Sequence, residues 1–313
     1  MNFQRDTLIN EIYNHAKKNK DIYFLSADFG APALDKFRKD LKNQFIHTGI
    51  SEQNTINVAA GLALKKKKVF VYAMAPFISL RCLEQHKCCS AIMNLPINTI
   101  VAGVGLGYAD SGPTHYTTED LASLRSLVGS NIFTASDTVT SKEIAKYLCK
   151  NNLFSFIRLD RDPQEDIYSK NQINSSIIKK GFIKVKFNKI KNNYLILSHG
   201  KQFLRIHEIV KNNNLFKNKF DMIDIIRCEP FPKQLVNELK KYKKIIILDE
   251  QFISSSLYSV IGEINLIHNL NLKTIGFFLE DKYIFDNGGR EYLLNKYGLN
   301  SQKIINTLKY IKS

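Results

Sequence analysis

Short runs of β-branched and aromatic residues alternate, from the first residues onward, with stretches whose apolar positions recur every three or four places. That alternation is the mark of a parallel sheet flanked by helices. In the first half it predicts strands at 22–26, 44–47, 69–73, 97–103, 132–135 and 154–159, and helices near 7–18, 52–64, 77–92, 118–127 and 141–149. Between 160 and 172 the pattern breaks. Asp162-Pro163 disfavours helix, and the run Gln164-Glu165-Asp166 offers little to bury, so a linker is expected, dividing a domain of 1–165 from one of 166–313. The second half resumes with strands near 194–198, 222–226, 245–249 and 274–278, and helices near 204–211, 233–241, 257–267, 290–296 and 301–309. In open α/β sheets, loops at the carboxyl ends of strands carry the ligand site.

At 313 residues and 44% hydrophobic content the chain is long enough for two such domains, each with a core. The net charge of +16 changes this picture little, because the lysines are scattered. Their densest runs, 65–68 and 240–244, precede apolar strands, where solvated loops are expected. No basic stripe or nucleic-acid signature accompanies them. Five cysteines without metal or redox spacing, and in odd number, fit a reducing cytoplasm better than a disulfide framework. No run of about eighteen uncharged apolar residues exists, and the N-terminus has no signal-peptide core, so a soluble cytoplasmic protein without a membrane partner is expected.

Three predicted strand ends hold the residues with chemistry. The first, 45–54, reads Phe-Ile-His-Thr-Gly-Ile-Ser-Glu-Gln-Asn and runs into Ala59-Ala60-Gly61-Leu62-Ala63, a turn followed by a closely packed helix. On spacing alone, Ser51 reads as an N-cap with Glu52 favourable in the first turn, worth about 1 kcal/mol. The second, 75–85, reads Ala-Pro-Phe-Ile-Ser-Leu-Arg-Cys-Leu-Glu-Gln. Phe77 by itself would be core. Arg81 and Gln85 fall on one helix face, suited to a polar contact or to solvent. The third holds Asp110-Ser111-Gly112-Pro113-Thr114-His115. A histidine set by a Gly-Pro turn can donate to a developing alkoxide, or can be a satisfied structural group. The glycines at 103, 105 and 107 do not have dinucleotide-loop spacing.

Together these segments resemble the transketolase family, which includes 1-deoxyxylulose-5-phosphate synthases and split transketolase C-terminal subunits. Residues 49–54 match G-I-x-E-Q-N, 75–85 resemble A-P-F-L-x-x-R-A-x-x-Q, and Gly112-Pro113-Thr114-His115 matches without gaps. The resemblance implies a pyrimidine-binding thiamine-diphosphate fold, a parallel sheet with helices on both faces, followed by a transketolase C-terminal α/β domain. It implies thiamine diphosphate as cofactor, with Glu52 hydrogen-bonded to a ring nitrogen of the aminopyrimidine so that the thiazolium carbon loses its proton. Burial against apolar walls helps a carboxyl in that setting to share a proton near neutral pH. It further implies that Phe77 stacks on the pyrimidine, that Ile50, Leu80 and Arg81 line the same pocket, and that His115 moves a proton and contacts substrate. Asp110, Ser111, Arg158 and Arg161 are implied at the substrate, Arg158 before Arg161 as the anion-binding arginine. Three departures stand out. Ser111 occupies the place of a donor-reading aspartate, Gly103 that of a phosphate-contacting histidine, and Leu80 and Leu83 those of further aromatics.

A G-D-G segment with a downstream asparagine, which holds magnesium and the diphosphate in full-length relatives, does not occur. Asp28-Phe29-Gly30 lacks the leading glycine and the partner. The resemblance therefore implies a separate diphosphate-binding subunit of N-terminal type that holds most of the Mg2+ and diphosphate, in an α2β2 heterotetramer, with a homodimer as the alternative for the chain alone. The expected reaction is transfer of a two-carbon ketol unit between sugars or sugar phosphates. Rival readings are the beta subunit of a 2-oxo acid dehydrogenase, a deoxyxylulose-phosphate-synthase-like carboligase and, from another class, a non-catalytic regulatory or nucleic-acid-binding descendant. Near the C-terminus Gly288-Gly289-Arg290 reads as a backbone turn without chemistry.

Overall fold

The computed structural model describes residues 2–27, 30–189 and 192–311. Asp28 and Phe29 of the Asp28-Phe29-Gly30 segment lie outside them.

Two sheets organise the chain. The first half supplies β1 Ile22–Ser26, β2 Phe45–His47, β3 Lys68–Met74, β4 Ile97–Ala102, β5 Asn131–Thr134 and β6 Ser155–Leu159. Successive residues of β3 are buried on opposite faces, Phe70 and Tyr72 in one apolar cluster and Val69 and Val71 in the other, as a sheet with helices on both faces requires. Helices Gln4–Ala16 and Thr138–Lys150 cover one face through Leu8, Ile9, Ile12, Ile144 and Leu148. Helix Glu52–Leu64 covers the other through Ile56, Ala59, Ala60 and Ala63, small side chains that let it approach closely.

The second half supplies β7 Phe182–Val185, β8 Tyr194–Ser198, β9 Phe220–Ile225, β10 Arg227–Glu229, β11 Lys244–Phe252 and β12 Lys273–Leu279. Five of these make a sheet in the order β12-β11-β8-β9-β7, with β7 antiparallel at its edge. Directly after β9 the chain crosses over: β10 pairs antiparallel with β5, giving the first sheet the order β10-β5-β6-β4-β3-β1-β2. The two sheets are thereby joined by backbone as well as by side chains.

Three sequence expectations change. The stretch 160–172 is irregular but not loosely solvated. Gln164 is buried and bonded to Gln4, Asp166 accepts from Thr138, and Tyr168 is in the core. The helix expected over 77–92 is broken into Ala75–Ile78, Leu83–Gln85 and a π-helical turn, His86–Ile92. Ser79 donates to the Ala75 carbonyl, and the buried His86 ring bonds the Ile78 carbonyl at 2.9 Å across the break. Arg81 accordingly sits in the turn between pieces and does not share a helix face with Gln85. A helix at Leu34–Asp40 and the strand β7 were not expected.

The seam between the sheets is ionic. Arg290, 10% exposed, places Nη1 2.6 Å from Asp160 and Nη2 2.8 Å from Glu250, and Glu250 also accepts from the Leu106 backbone and from Gln202. This role was not legible in Gly288-Gly289-Arg290. A second polar knot holds Asp224, which accepts from Ser136 at 2.7 Å and Tyr168 at 3.0 Å. Burial, reinforced by nearby Asp137, pushes its carboxyl up to about 8. Between the ordinary carboxylate range and pH 8 the unfolded chain therefore releases this proton while the folded chain keeps it, so the contribution of Asp224 to stability falls as pH rises. Asp224→Asn is expected to gain stability relative to wild type as pH goes from 4 to 8 in urea titrations. Parallel curves for the two proteins would contradict this.

Candidate active site

Four parallel strand ends, those of β2, β3, β4 and β6, open on the same edge of the first sheet, and the candidate residues follow them. After β2, Gly49 takes a positive φ of 72° and turns the chain into the helix that begins at Glu52. The capping expectation fails here: Ser51 makes no side-chain cap and instead donates its hydroxyl back to the Thr48 carbonyl at 2.7 Å. Glu52 does open the first turn, as expected of it, but without a side-chain cap before it. Its side chain is 7% exposed, and Oε2 accepts from Arg81 Nη1 at 2.9 Å. Ile50, beside it, is 78% exposed.

After β3, Pro76 opens the short helix that carries Phe77, half-buried, with Leu80 half-buried in the following turn. The Arg81 guanidinium lies 4.4 Å from the Phe77 ring centroid. The loop after β4 then brings in His115, whose ring meets Phe77 edge-on at 5.4 Å between centroids. His115 Nδ1 shares a hydrogen bond with the Thr114 hydroxyl. Glu52, Arg81, Phe77 and His115 thus form one contiguous wall, drawn from three loops.

The wall continues through a residue that sequence reasoning missed. The Tyr108 ring packs 6.3 Å from the His115 ring, and the Arg161 guanidinium lies 4.6 Å from the Tyr108 ring centroid. A side-chain carbon on Gly103, whose φ is positive at 84°, would fall 2.1 Å from the Tyr108 ring, so this tyrosine position goes with a glycine there. Arg161, after β6, pairs with Asp110 at 3.0 Å; both are exposed, with Ser111 next to them.

Arg158 goes elsewhere. It is 1% exposed, donates from Nε and Nη2 to both oxygens of Asp120, and reaches Thr134 with Nη1. This argues against the preference for Arg158 over Arg161: the guanidinium is sealed in the core, with three of its N–H groups committed to Asp120 and Thr134.

Tyr116, also missed, holds the histidine turn from behind. Its buried hydroxyl donates to the Asp286 carbonyl at 2.6 Å and contacts that of Ala109 at 3.2 Å, tying the loop to the segment after β12. Tyr116→Phe is expected to cost about 1 kcal/mol of stability and to speed amide exchange across 103–116. Unchanged exchange there would show that the tie does not hold the turn.

Among the described residues no group of three or more His, Cys, Asp or Glu side chains is placed to hold a metal, and no helix is long and apolar enough to cross a membrane.

Known proteins are similar to this chain in sequence and in fold. Over 293 residues the chain is 25% identical to a putative transketolase C-terminal section of Methanocaldococcus jannaschii, covering 92% of this chain and 89% of that one. It is 32% identical over 165 residues to one of the subunits of an apulose-4-phosphate transketolase of Phocaeicola vulgatus, covering about half of each, 52% and 53%. A solved split-gene transketolase, described as an inactive β4 tetramer, superposes with a TM-score of 0.85 at 22% identity, covering 99% of this chain and 98% of that one. Residues 5–163, which supply six strands of the first sheet and all four site loops, match the transketolase pyrimidine-binding domain, and the chain belongs to that family.

Proposed function

We propose that this chain is the C-terminal subunit of a split, thiamine-diphosphate-dependent transketolase, with 1–165 as the pyrimidine-binding domain and 166–313 as the C-terminal domain. The observation that carries the reading is the junction of Glu52, Phe77 and His115 in one wall although they come from three separate strand ends.

The wall fits the aminopyrimidine end of the cofactor. Glu52 is a buried carboxylate whose Oε1 accepts from none of the described residues, and Phe77 offers a half-buried aromatic surface beside it. When bound, thiamine diphosphate supplies a carbon nucleophile that can carry a two-carbon ketol unit. The task of Glu52 is to share a proton with the pyrimidine ring nitrogen, and that of Phe77 is to fix the ring plane. His115, a partly exposed imidazole a ring's width from Phe77, holds or moves a proton at the sugar oxygen. Mg2+ and the diphosphate fall to a separate subunit of N-terminal type, and the assembly is an α2β2 heterotetramer.

Arg161 takes the part of anion ligand, at the rim with Asp110 and Ser111. Arg161→Ala is expected to raise KM for a phosphorylated acceptor by about 10- to 100-fold, the worth of a charge-assisted hydrogen bond, with kcat changed little. Equal KM values for the two proteins would remove Arg161 from the site.

The reading is tested by reconstitution. The chain, mixed with a diphosphate-binding subunit, thiamine diphosphate and Mg2+, should transfer ketol units between sugar phosphates, and neither subunit should do so alone. If the mixture neither binds the cofactor nor turns over, a regulatory role becomes the better account.

A further inference from the structure

Arg81 makes two contacts at the site that the roles of Glu52, Phe77 and His115 do not explain. Its Nη1 is 2.9 Å from Glu52 Oε2, and the same guanidinium lies 4.4 Å from the Phe77 ring centroid. The turn that carries it is itself fastened. The Arg81 carbonyl accepts from Gln53, in the first turn of the Glu52 helix, and the Cys82 thiol donates to the Phe77 carbonyl at 3.3 Å. Exposure runs outward along the pair, from 7% at Glu52 to 44% at Arg81. The carboxylate is thus the inner group, and the arginine stands at the opening.

A carboxylate has two oxygens, and here they are divided. Oε2 is taken by Arg81, while Oε1 accepts from none of the described residues. A carboxylate tied at one oxygen by a guanidinium that is itself seated on an aromatic ring loses much of its rotational freedom. The direction of the second oxygen is then set before any ligand arrives, which lowers the ordering cost of binding.

We propose that Arg81 is a positioning residue: by holding Oε2 of Glu52 and resting on Phe77, it aims Oε1 at the ring nitrogen of an aminopyrimidine and joins carboxylate and aromatic wall into one unit. This rests on the reading of Glu52 and Phe77 as the cofactor wall. A competing geometry, in which the guanidinium occupies the place of the pyrimidine and must leave, predicts the opposite sign of effect.

The test uses the complex with the diphosphate-binding subunit at saturating Mg2+, titrated calorimetrically with thiamine diphosphate, together with kcat and acceptor KM. Wild type, Arg81→Ala, Arg81→Lys, Glu52→Gln and the double variant Glu52→Gln/Arg81→Ala are compared. Arg81→Ala should weaken cofactor binding by about tenfold and lower kcat with acceptor KM unchanged, and Arg81→Lys should recover most of both. In the Glu52→Gln background the effect of Arg81→Ala on binding should largely vanish, because the two residues act through one contact. Binding by Arg81→Ala as tight as wild type or tighter, or an undiminished effect in the Glu52→Gln background, would overturn the proposal. Absence of cofactor binding by the wild-type complex would instead overturn the assignment of Glu52, and this role with it.

Discussion

Glu52→Gln is expected to lower kcat of the assembled enzyme by about 10²- to 10⁴-fold, the range contributed by a positioned proton-transfer group, with little change in the melting curve. The amide keeps the shape of the carboxylate and can still accept from Arg81, so the wall survives. What it cannot do is carry the charge that draws a proton toward or away from the pyrimidine ring. Folding should tolerate the change, because the ion pair lost involves a half-exposed arginine, and such pairs add little to stability. Steady-state kinetics on the reconstituted complex, beside thermal unfolding of the chain, check both halves of the expectation. A turnover within tenfold of wild type would remove Glu52 from the chemistry.

The second large effect concerns stability. Arg158→Ala should destabilise the chain by about 3–5 kcal/mol, because it leaves Asp120 buried and without its cation. Both side chains are sealed, at 1% and 0% exposure, and the pairing is bidentate at 2.7 and 3.0 Å. Replacing both partners by apolar residues, Asp120→Leu with Arg158→Met, should recover most of the loss, since no ion then remains buried. Urea denaturation measures this directly. Activity per folded molecule should stay near wild type in the double variant. A raised acceptor KM at full folding would return Arg158 to the substrate site and displace Arg161.

Much of this protein was legible before folding was considered. Apart from β7 and β10, the strands of both sheets follow from short β-branched runs whose lengths and spacing leave few alternatives. The turn at 48–51 announces itself by Gly49, and helix Glu52–Leu64 begins and ends where its periodicity does. That Glu52, Phe77 and His115 come together could be expected, because each lies in a loop or turn that follows a strand, and in a parallel sheet all such ends face one edge.

Other features depended on contacts between residues far apart in the chain. Arg158 and Arg161 are three positions apart and of the same type, yet one is core and the other rim. Every residue of β6 is buried, so the alternation that separates inside from outside in a half-exposed strand is absent, and Asp120 lies 38 positions away. Arg81 became a partner of Glu52 only because what periodicity reads as one helix breaks at 79–82, where the His86 ring bonds the Ile78 carbonyl. Tyr108 and Arg290 carried no local signal, since a tyrosine in a loop and an arginine after two glycines are ordinary until their neighbours are known.

By itself, then, the sequence determined the layering of helices on parallel strands, the family and the loops that meet at one sheet edge, because these depend on local periodicity and short motifs. Tertiary structure alone decided which arginine stands exposed at the rim, which is locked in the core, and which rests on the glutamate. Those outcomes turn on where a single carboxylate or ring arrives from another part of the chain, and no local pattern encodes that arrival.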